Sequence, residues 1–309
     1  MLSNTISISG ISKTYKSSGV HALQNISLEV NSGELFGLIG PDGAGKTTLF
    51  RILTTLLLPD SGKTTVAGFD VVRDYKEIRK IVGYMPGRFS LYQDLTVEEN
   101  LRFFATVFHT TIEANYHLIQ DIYVQLEPFK TRRAGKLSGG MKQKLALCCA
   151  LVHEPRILFL DEPTTGVDPV SRKEFWEMLA QLKEKGITIL VSTPYMDEAA
   201  RCDRIALIQK GQLLEVDSYT GILQHHERSV LAVKSEKMYQ LLNDLRQYPG
   251  THNCYSFGSV HHLTLKISSS EAIDHLKVFL KARGHGHVHI EQAPPNIEDV
   301  FIELMGKVA

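Results

Sequence analysis

At 309 residues, with 43% hydrophobic and 22% charged side chains, the chain has the make-up of an ordinary globular protein and room for two domains. Lys+Arg and Asp+Glu are both 34, so no basic excess points to nucleic acid or to an anionic membrane surface. Cys148, Cys149, Cys202 and Cys254 form no CxxC pair and no metal-ligand spacing, and read as reduced thiols of a cytosolic protein. Met1-Leu2-Ser3-Asn4 does not begin a secretory signal, and no run approaches the roughly 20 apolar residues of a membrane span.

In chain order, residues 5–11 and 24–30 alternate apolar and polar and predict half-buried strands. Asn31-Ser32-Gly33 is a turn. Leu35–Ile39 is continuously apolar, as in a strand buried on both faces, and a helical pattern runs from Lys46 to about Leu57. Pro59-Asp60-Ser61-Gly62 is another turn. Residues 96–150 read as mostly helical, with Thr96-Val97-Glu98-Glu99 spelling a capping box. Apolar runs Ile157–Leu160, Ile187–Val191 and Ile205–Ile208 alternate with helical stretches near 170–185 and 195–202, the signature of an α/β core around a largely parallel sheet. Lys210-Gly211 reads as a hairpin turn.

Composition shifts after about residue 222, and nine of the 13 histidines lie beyond residue 224. The order there is strand 229–234, helix 236–247, strands 252–257 and 260–267, helix 271–283 and strand 286–292, which is the βαββαβ ferredoxin-like order. Asn296 caps a last helix at 297–304, with Asp299 in its first turn. His285, His287 and His289 alternate along the expected strand and so share a face. A solvated polar face is the expectation there, with a Zn²⁺ or Cu²⁺ site as the alternative.

Chemistry enters at Gly40-Pro41-Asp42-Gly43-Ala44-Gly45-Lys46-Thr47, which fits GxxxxGK[ST] between a buried strand and a helix. Its glycines let backbone N–H groups turn inward onto phosphate oxygens, and the helix start adds its positive end. Lys46 is placed to reach the β/γ-phosphates and the Thr47 hydroxyl to ligate Mg²⁺, with Thr48 grouped beside them. Downstream, Ile157–Leu160 ends in Asp161-Glu162. Adjacent residues at a strand tip face different ways, so one acid can support Mg²⁺ while the other polarises an attacking water. Leu137-Ser138-Gly139-Gly140-Met141-Lys142-Gln143 puts an N-cap serine and two bare glycines at a helix start, an anion-binding terminus.

Leu-Ser-Gly-Gly-x-x-Gln, shortly before paired acids and well after the phosphate loop, resembles the signature of ABC ATPases, and the resemblance covers roughly residues 5–220. It implies a P-loop NTPase fold of the ABC type with a helical subdomain at about 88–150, within a domain 1–222. A small α+β accessory or dimerisation domain would occupy 223–309. Tyr15 resembles the adenine-stacking aromatic, Thr165-Gly166-Val167-Asp168 the loop that crosses the dimer interface, and Thr193–Ala199 the switch loop. By the same resemblance, Lys46 and Thr47 hold phosphate and Mg²⁺, Asp161 supports the metal and Glu162 is the candidate base. Residues 137–143 serve the nucleotide of a second ATP-binding domain. Gly83–Pro86, Leu91–Leu101 and Asn296–Ile302 resemble the branch that exports drugs, antibiotics and polysaccharides through separate permease chains. This implies an ATPase peripheral to the inner face of the cell membrane, with no nucleic-acid partner.

Asp42 stands where the family usually has asparagine, a minor variant, and two further positions depart from the family in ways that bear on activity. Where it places a glutamine reaching Mg²⁺ and water, this chain has Gly87, and Gln93 lies six residues too far on. Where it places a histidine at the terminal phosphate, the chain has Pro194, without side-chain donor or N–H. Both would weaken the chain's own site while leaving phosphate binding intact. An asymmetric heterodimer and a tolerant homodimer both stay open, as does a regulatory ABC protein with little hydrolysis. A non-transport ABC ATPase of translation or repair is disfavoured by the short Lys46–Ser138 spacing.

Overall fold

The computed structural model describes residues 4–225, 228–267 and 270–308. The chain forms two compact units, Met1–Tyr219 and Thr220–Ala309. The first holds β1 (Asn4–Tyr15), β2 (Val20–Asn31), β3 (Leu35–Ile39), α1 (Lys46–Leu53), β4 (Ser61–Val66), β5 (Phe69–Asp70), α2 (Tyr75–Ile81), β6 (Val82–Met85), α3 (Val97–Val107), α4 (Tyr116–Tyr123), α5 (Gly139–Leu151), β7 (Ile157–Asp161), α6 (Pro169–Glu184), β8 (Thr188–Thr193), β9 (Arg204–Gln209) and β10 (Gln212–Asp217). Helix α7 (Tyr219–Gln224) starts where this unit ends.

Two sheets organise the first unit. One is antiparallel, in the order β2-β1-β4-β5; the other has the order β10-β9-β3-β8-β7-β6, parallel except for the β9–β10 hairpin. Every residue of β3, β7 and β8 is buried, which is why their central residues run apolar without alternation and the polar ones stand at the strand ends. In β2, by contrast, Ile26, Leu28 and Val30 point inward and their neighbours outward. These residues meet Leu49, Phe50 and Leu53 of α1, which also pack on Phe36 and Phe159 of the parallel sheet. Phe50 and Phe159 sit edge to face at 5.9 Å. The helix that begins at Lys46 is thus clamped between both sheets.

Helix α1 is shorter than its apolar pattern suggests. It stops at Leu53 because Thr55 turns to φ 63 and the amides of Leu56 and Leu57 fold back onto Arg51 O. Leu56 and Leu58 are consequently exposed, at 58% and 61%. Between β6 and β7 lie α3, α4 and α5. Thr96 and Glu99 form the capping box of α3: the hydroxyl accepts from Glu99 N (3.2 Å) and the carboxylate from Thr96 N (2.8 Å). The stretch at 196–201 is a 3₁₀ helix rather than an α-helix.

The second unit contains β11 (Val230–Ser235), α8 (Met238–Gln247), β12 (Thr251–Phe257), β13 (Val260–Leu265), α9 (Ser270–Ala282), β14 (Val288–Ala293) and α10 (Ile297–Val308). Its antiparallel sheet, in the order β12-β13-β11-β14, has the split βαβ topology of ferredoxin-like folds. Leu231, Val233, Leu241, Leu245, Leu263 and Leu276 make its core. The three alternating histidines do not share a strand face. His285 precedes β14 and is buried, with Nε2 2.9 Å from Asp244 Oδ2, whereas His289 is exposed beside Glu291. Buried against a carboxylate, His285 is drawn into the core by a partner the strand pattern does not reveal.

Candidate active site

The loop from Gly40 to Thr47 leaves the C-terminal end of β3 and enters α1. At two of its glycines it runs so close to other backbone that a side chain is excluded. A Cβ on Gly40 would lie 2.2 Å from Ile208 O, and one on Gly45 would lie 2.4 Å from Ala22 O. Gly45, at φ 108, also caps α1 in a conformation few other residues adopt. The β9–β10 turn closes the loop from outside, with Gly211 N donating to Ala44 O (2.9 Å) and Gln24 N to Gly211 O (2.7 Å). Lys46, 3% exposed, donates from Nζ to Gly40 O (2.8 Å) and Pro41 O (3.0 Å) and pairs with Glu162 Oε1 at 3.0 Å. Thr47 and Thr48 are the next residues of α1, and Tyr15 Oη meets Thr48 Oγ1 at 3.2 Å. Asp42 and Gly43 are exposed at the loop's outer side.

The two acids part as strand geometry requires. Asp161, 1% exposed, accepts from Ser192 Oγ at 2.6 Å. Glu162 turns to φ 51, and its amide is held by Ser192 O (3.0 Å) and Ser192 Oγ (3.1 Å), so its carboxylate faces Lys46 instead. Such left-handed geometry at a non-glycine residue is costly and persists only where neighbours enforce it. The structure therefore brings Lys46 and Glu162 into contact and ties Asp161 to β8. A side chain at Gly87 would begin 3.1 Å from Asp161 O and 3.8 Å from Asp161 Cγ. Gln93 lies elsewhere, its carbonyl accepting from Gly135 N. Tyr84, on the same strand as the approach to Gly87, has its phenol pushed up to about 12 by burial and by the Asp161 charge.

Pro194 follows Thr193, whose carbonyl accepts from Gly40 N at 3.2 Å. The next residues are fastened by Glu198, 3% exposed, which accepts from Thr164 Oγ1 (2.8 Å), Thr193 Oγ1 (2.5 Å) and Arg172 Nε (3.2 Å). Ser192 and Arg172 escaped the sequence reading, and Glu198 entered it only as one residue of the switch-loop stretch; polar residues closing an otherwise apolar strand, as Ser192 does in β8, were the available signal.

Residues 137–143 form the start of α5. Ser138 Oγ accepts from Met141 N (3.3 Å), and a Cβ on Gly140 would meet Ser171 Oγ at 2.7 Å. Leu137 is buried, and Lys142 Nζ lies 5.5 Å over the Phe89 ring. Asp168 caps α6 by accepting from Val170 N (3.1 Å) and Ser171 N (3.0 Å), and these backbone donors hold its carboxyl below the usual range. Lys144 of α5 pairs with Glu174 of α6 at 2.6 Å. Among the described residues, no hydrogen bond or ion pair joins residues 137–143 to the phosphate loop.

A further groove of about 430 Å³ opens between β6 and the helices, lined by Leu56, Met85, Pro86, Phe104, Val107 and His153, among others. The His153 ring stacks on Phe108 at 3.7 Å, and its Nε2 donates to Val82 O. No helix among the described residues is long and apolar enough to cross a membrane. Nor is any group of three or more His, Cys, Asp or Glu arranged to hold a metal ion.

Residues 23–165 match the ABC transporter domain family. A probable multidrug ABC transporter ATP-binding protein, YbhF of Escherichia coli K12, is 40% identical over 97% of this chain, although the chain spans only 52% of that relative's length. The Nod factor export ATP-binding protein I of Rhizobium sp. N33 is 34% identical over 98% of this chain and 97% of its own. Among solved structures, the dimeric ATP-binding cassette MJ0796 bound to ADP and Pi superposes with a TM-score of 0.63 and 26% identity, covering 69% of this chain and 98% of the cassette. The cassette cbiO1 of Clostridium perfringens, part of the cbiONQ complex, gives a TM-score of 0.64 at 25% identity, covering 72% and 92% respectively. With a relative 34% identical along nearly the whole of both chains, this chain belongs to the ABC transporter family of ATP-binding proteins.

Proposed function

We propose that this chain is the ATP-binding subunit of an exporter, coupling ATP binding and hydrolysis to movement of cargo through separate membrane permease subunits. The observation that carries the reading is the Lys46 ammonium, buried at the phosphate loop and 3.0 Å from Glu162. Phosphoryl transfer asks the protein mainly for positioning and charge neutralisation. Lys46 and backbone N–H groups of the loop neutralise phosphate oxygens, Tyr15 carries the base, and Glu162 takes the role of general base toward water. Thr47 and Asp161 offer a hydroxyl and a carboxylate, the hard oxygen donors that Mg²⁺ takes while keeping waters and phosphate oxygens as its other ligands. Mg²⁺ there would draw negative charge from the terminal phosphate.

Gly87 and Pro194 leave this site without two side-chain contacts to the reacting centre. Each such loss costs about 10²–10³ in rate. We read the chain as binding ATP at its own loop and turning it over slowly, while Ser138, Gly139 and Gly140 complete the site of a second ATP-binding domain. Total ATPase of the assembled complex separates the two dimer types. In a heterodimer, Glu162→Gln leaves most turnover and Ser138→Arg removes it; in a homodimer both remove it. MgATP binding that survives Lys46→Ala would sink the reading as a whole.

The groove beside Gly87 fits an amphipathic cytoplasmic helix of the permease, which would seat the chain on the inner face of the membrane. Its rim carries Leu56 and Val107, 58% and 52% exposed. Leu56→Asp with Val107→Asp is expected to release the chain from permease-containing membranes and leave ATP binding unchanged. Among its described residues the second unit offers no catalytic constellation, and an accessory or dimerising role suits it.

A further inference from the structure

Thr193 is the last residue of β8, paired with Ile39 at the mouth of the phosphate loop, and Ser192 is paired with Asp161. The chain that leaves at Pro194 therefore departs between the strand tips that carry Lys46 and the two acids. That is the end of the site where a third phosphate would lie, because the loop lysine reaches the β/γ-phosphates. Proline has no N–H and no polar side chain, so this segment can act on a ligand only through how firmly its backbone and neighbours are placed.

One side chain does most of that placing. The Arg172 guanidinium lies 4.4 Å over the Tyr195 ring, pairs with Asp197 Oδ2 at 3.1 Å and pairs with Glu198 Oε1 at 3.1 Å. Three of the four residues after Pro194 are thereby fixed to α6. Glu198 in turn takes the hydroxyls of Thr164 and Thr193, which carries the same restraint back to the strand tip. Planar, forked and able to stack, arginine can hold all three at once in a way lysine cannot.

We propose that Arg172 is a positioning residue for triphosphate recognition: it fixes segment 193–198 beside the phosphate loop and so sets how strongly the site prefers a nucleoside triphosphate to a diphosphate. This rests on the nucleotide-site reading above. A purely structural role is the rival, since Arg172 also compensates a carboxylate that is 3% exposed. Removing both members of the pair distinguishes the two, because Arg172→Ala/Glu198→Gln leaves no buried charge uncompensated but does not restore the hold on Tyr195.

The test is calorimetric titration of the full chain with Mg²⁺ and either adenosine 5′-(β,γ-imido)triphosphate or ADP. For Arg172→Ala the imidotriphosphate is expected to bind about tenfold more weakly, the worth of a charge-assisted contact, with ADP changed by less than about twofold. Arg172→Lys falls between. The double variant keeps the loss even as its unfolding temperature returns toward that of the parent. Equal weakening of both nucleotides, no weakening of either, or recovery of imidotriphosphate affinity in the double variant overturns the proposal. A parent chain that binds neither nucleotide, or ADP binding that survives Lys46→Ala, overturns the nucleotide-site reading itself and this inference with it.

Discussion

Adding one methyl group to each of the two signature glycines would separate what this chain's own packing needs from what the nucleotide of the proposed partner needs. A Cβ at Gly140 would sit 2.7 Å from Ser171 Oγ and 2.9 Å from Ser171 Cβ. The hydroxyl can rotate away, but the Cβ is fixed by α6, so Gly140→Ala must spread α5 from α6. Overpacking of this kind costs about 1–3 kcal/mol. At Gly139 the nearest atom to a built Cβ is Gly166 O at 3.6 Å, an ordinary contact. There alanine is close to neutral, within about 0.5 kcal/mol. Denaturant unfolding of Gly140→Ala, Ser171→Gly and the double variant gives the coupling directly. We expect the pair to be non-additive by about 1 kcal/mol or more, the double variant recovering part of what each single change loses. Gly139→Ala should then reduce ATPase of the assembled complex at unchanged stability, because the only thing left for its Cβ to disturb is a ligand. Additive energies for residues 140 and 171, or equal destabilisation by Gly139→Ala, would refute the reasoning.

Three other outcomes are expected. Gly87→Gln places an amide chain 3.1 Å from Asp161 O at its root, and single-turnover cleavage of ATP at this chain's own loop should rise about tenfold or more at unchanged ATP affinity; an unaltered rate counts against the account of the weak site. Burial pushes the His153 imidazole below its ordinary 6.5, so the unfolded chain takes up a proton that the folded one refuses. Stability therefore falls as pH drops below 6.5 toward the folded value, and His153→Gln should flatten that part of a stability–pH curve. Thr96→Ala removes the hydroxyl that caps α3 and should cost about 1 kcal/mol in denaturant unfolding.

Much of the first unit was legible because its signals are local. Buried central strands announce themselves as unbroken apolar runs, Leu35–Ile39 and Ile157–Leu160, and the phosphate loop must follow such a strand to aim its amides. The capping residues Thr96 and Asn296 were readable for the same reason, since a cap and its partner lie three residues apart. What was hidden depends on distant neighbours. Nothing near residue 53 in sequence says that α1 must stop there; Thr55 turns so that Arg51 O can take two amides. His285 looks like one of three exposed alternating histidines until Asp244, forty-one residues earlier, is seen to hold it inside. Likewise the hold of Arg172 on Glu198 joins positions 26 apart that no periodicity connects.

The turn at Lys210-Gly211 has a consequence out of proportion to its plain sequence. To an engineer it looks like a convenient spot to splice in a tag or to reopen the chain as new termini. Yet Gly211 is wedged within 2.6 Å, by its hypothetical Cβ, of Ala22 O, and its own amide props Ala44. An insertion there would slacken the cradle from behind, some 165 positions downstream of the proposed phosphate-binding lysine, and nucleotide binding should fail although no residue of the loop has been touched.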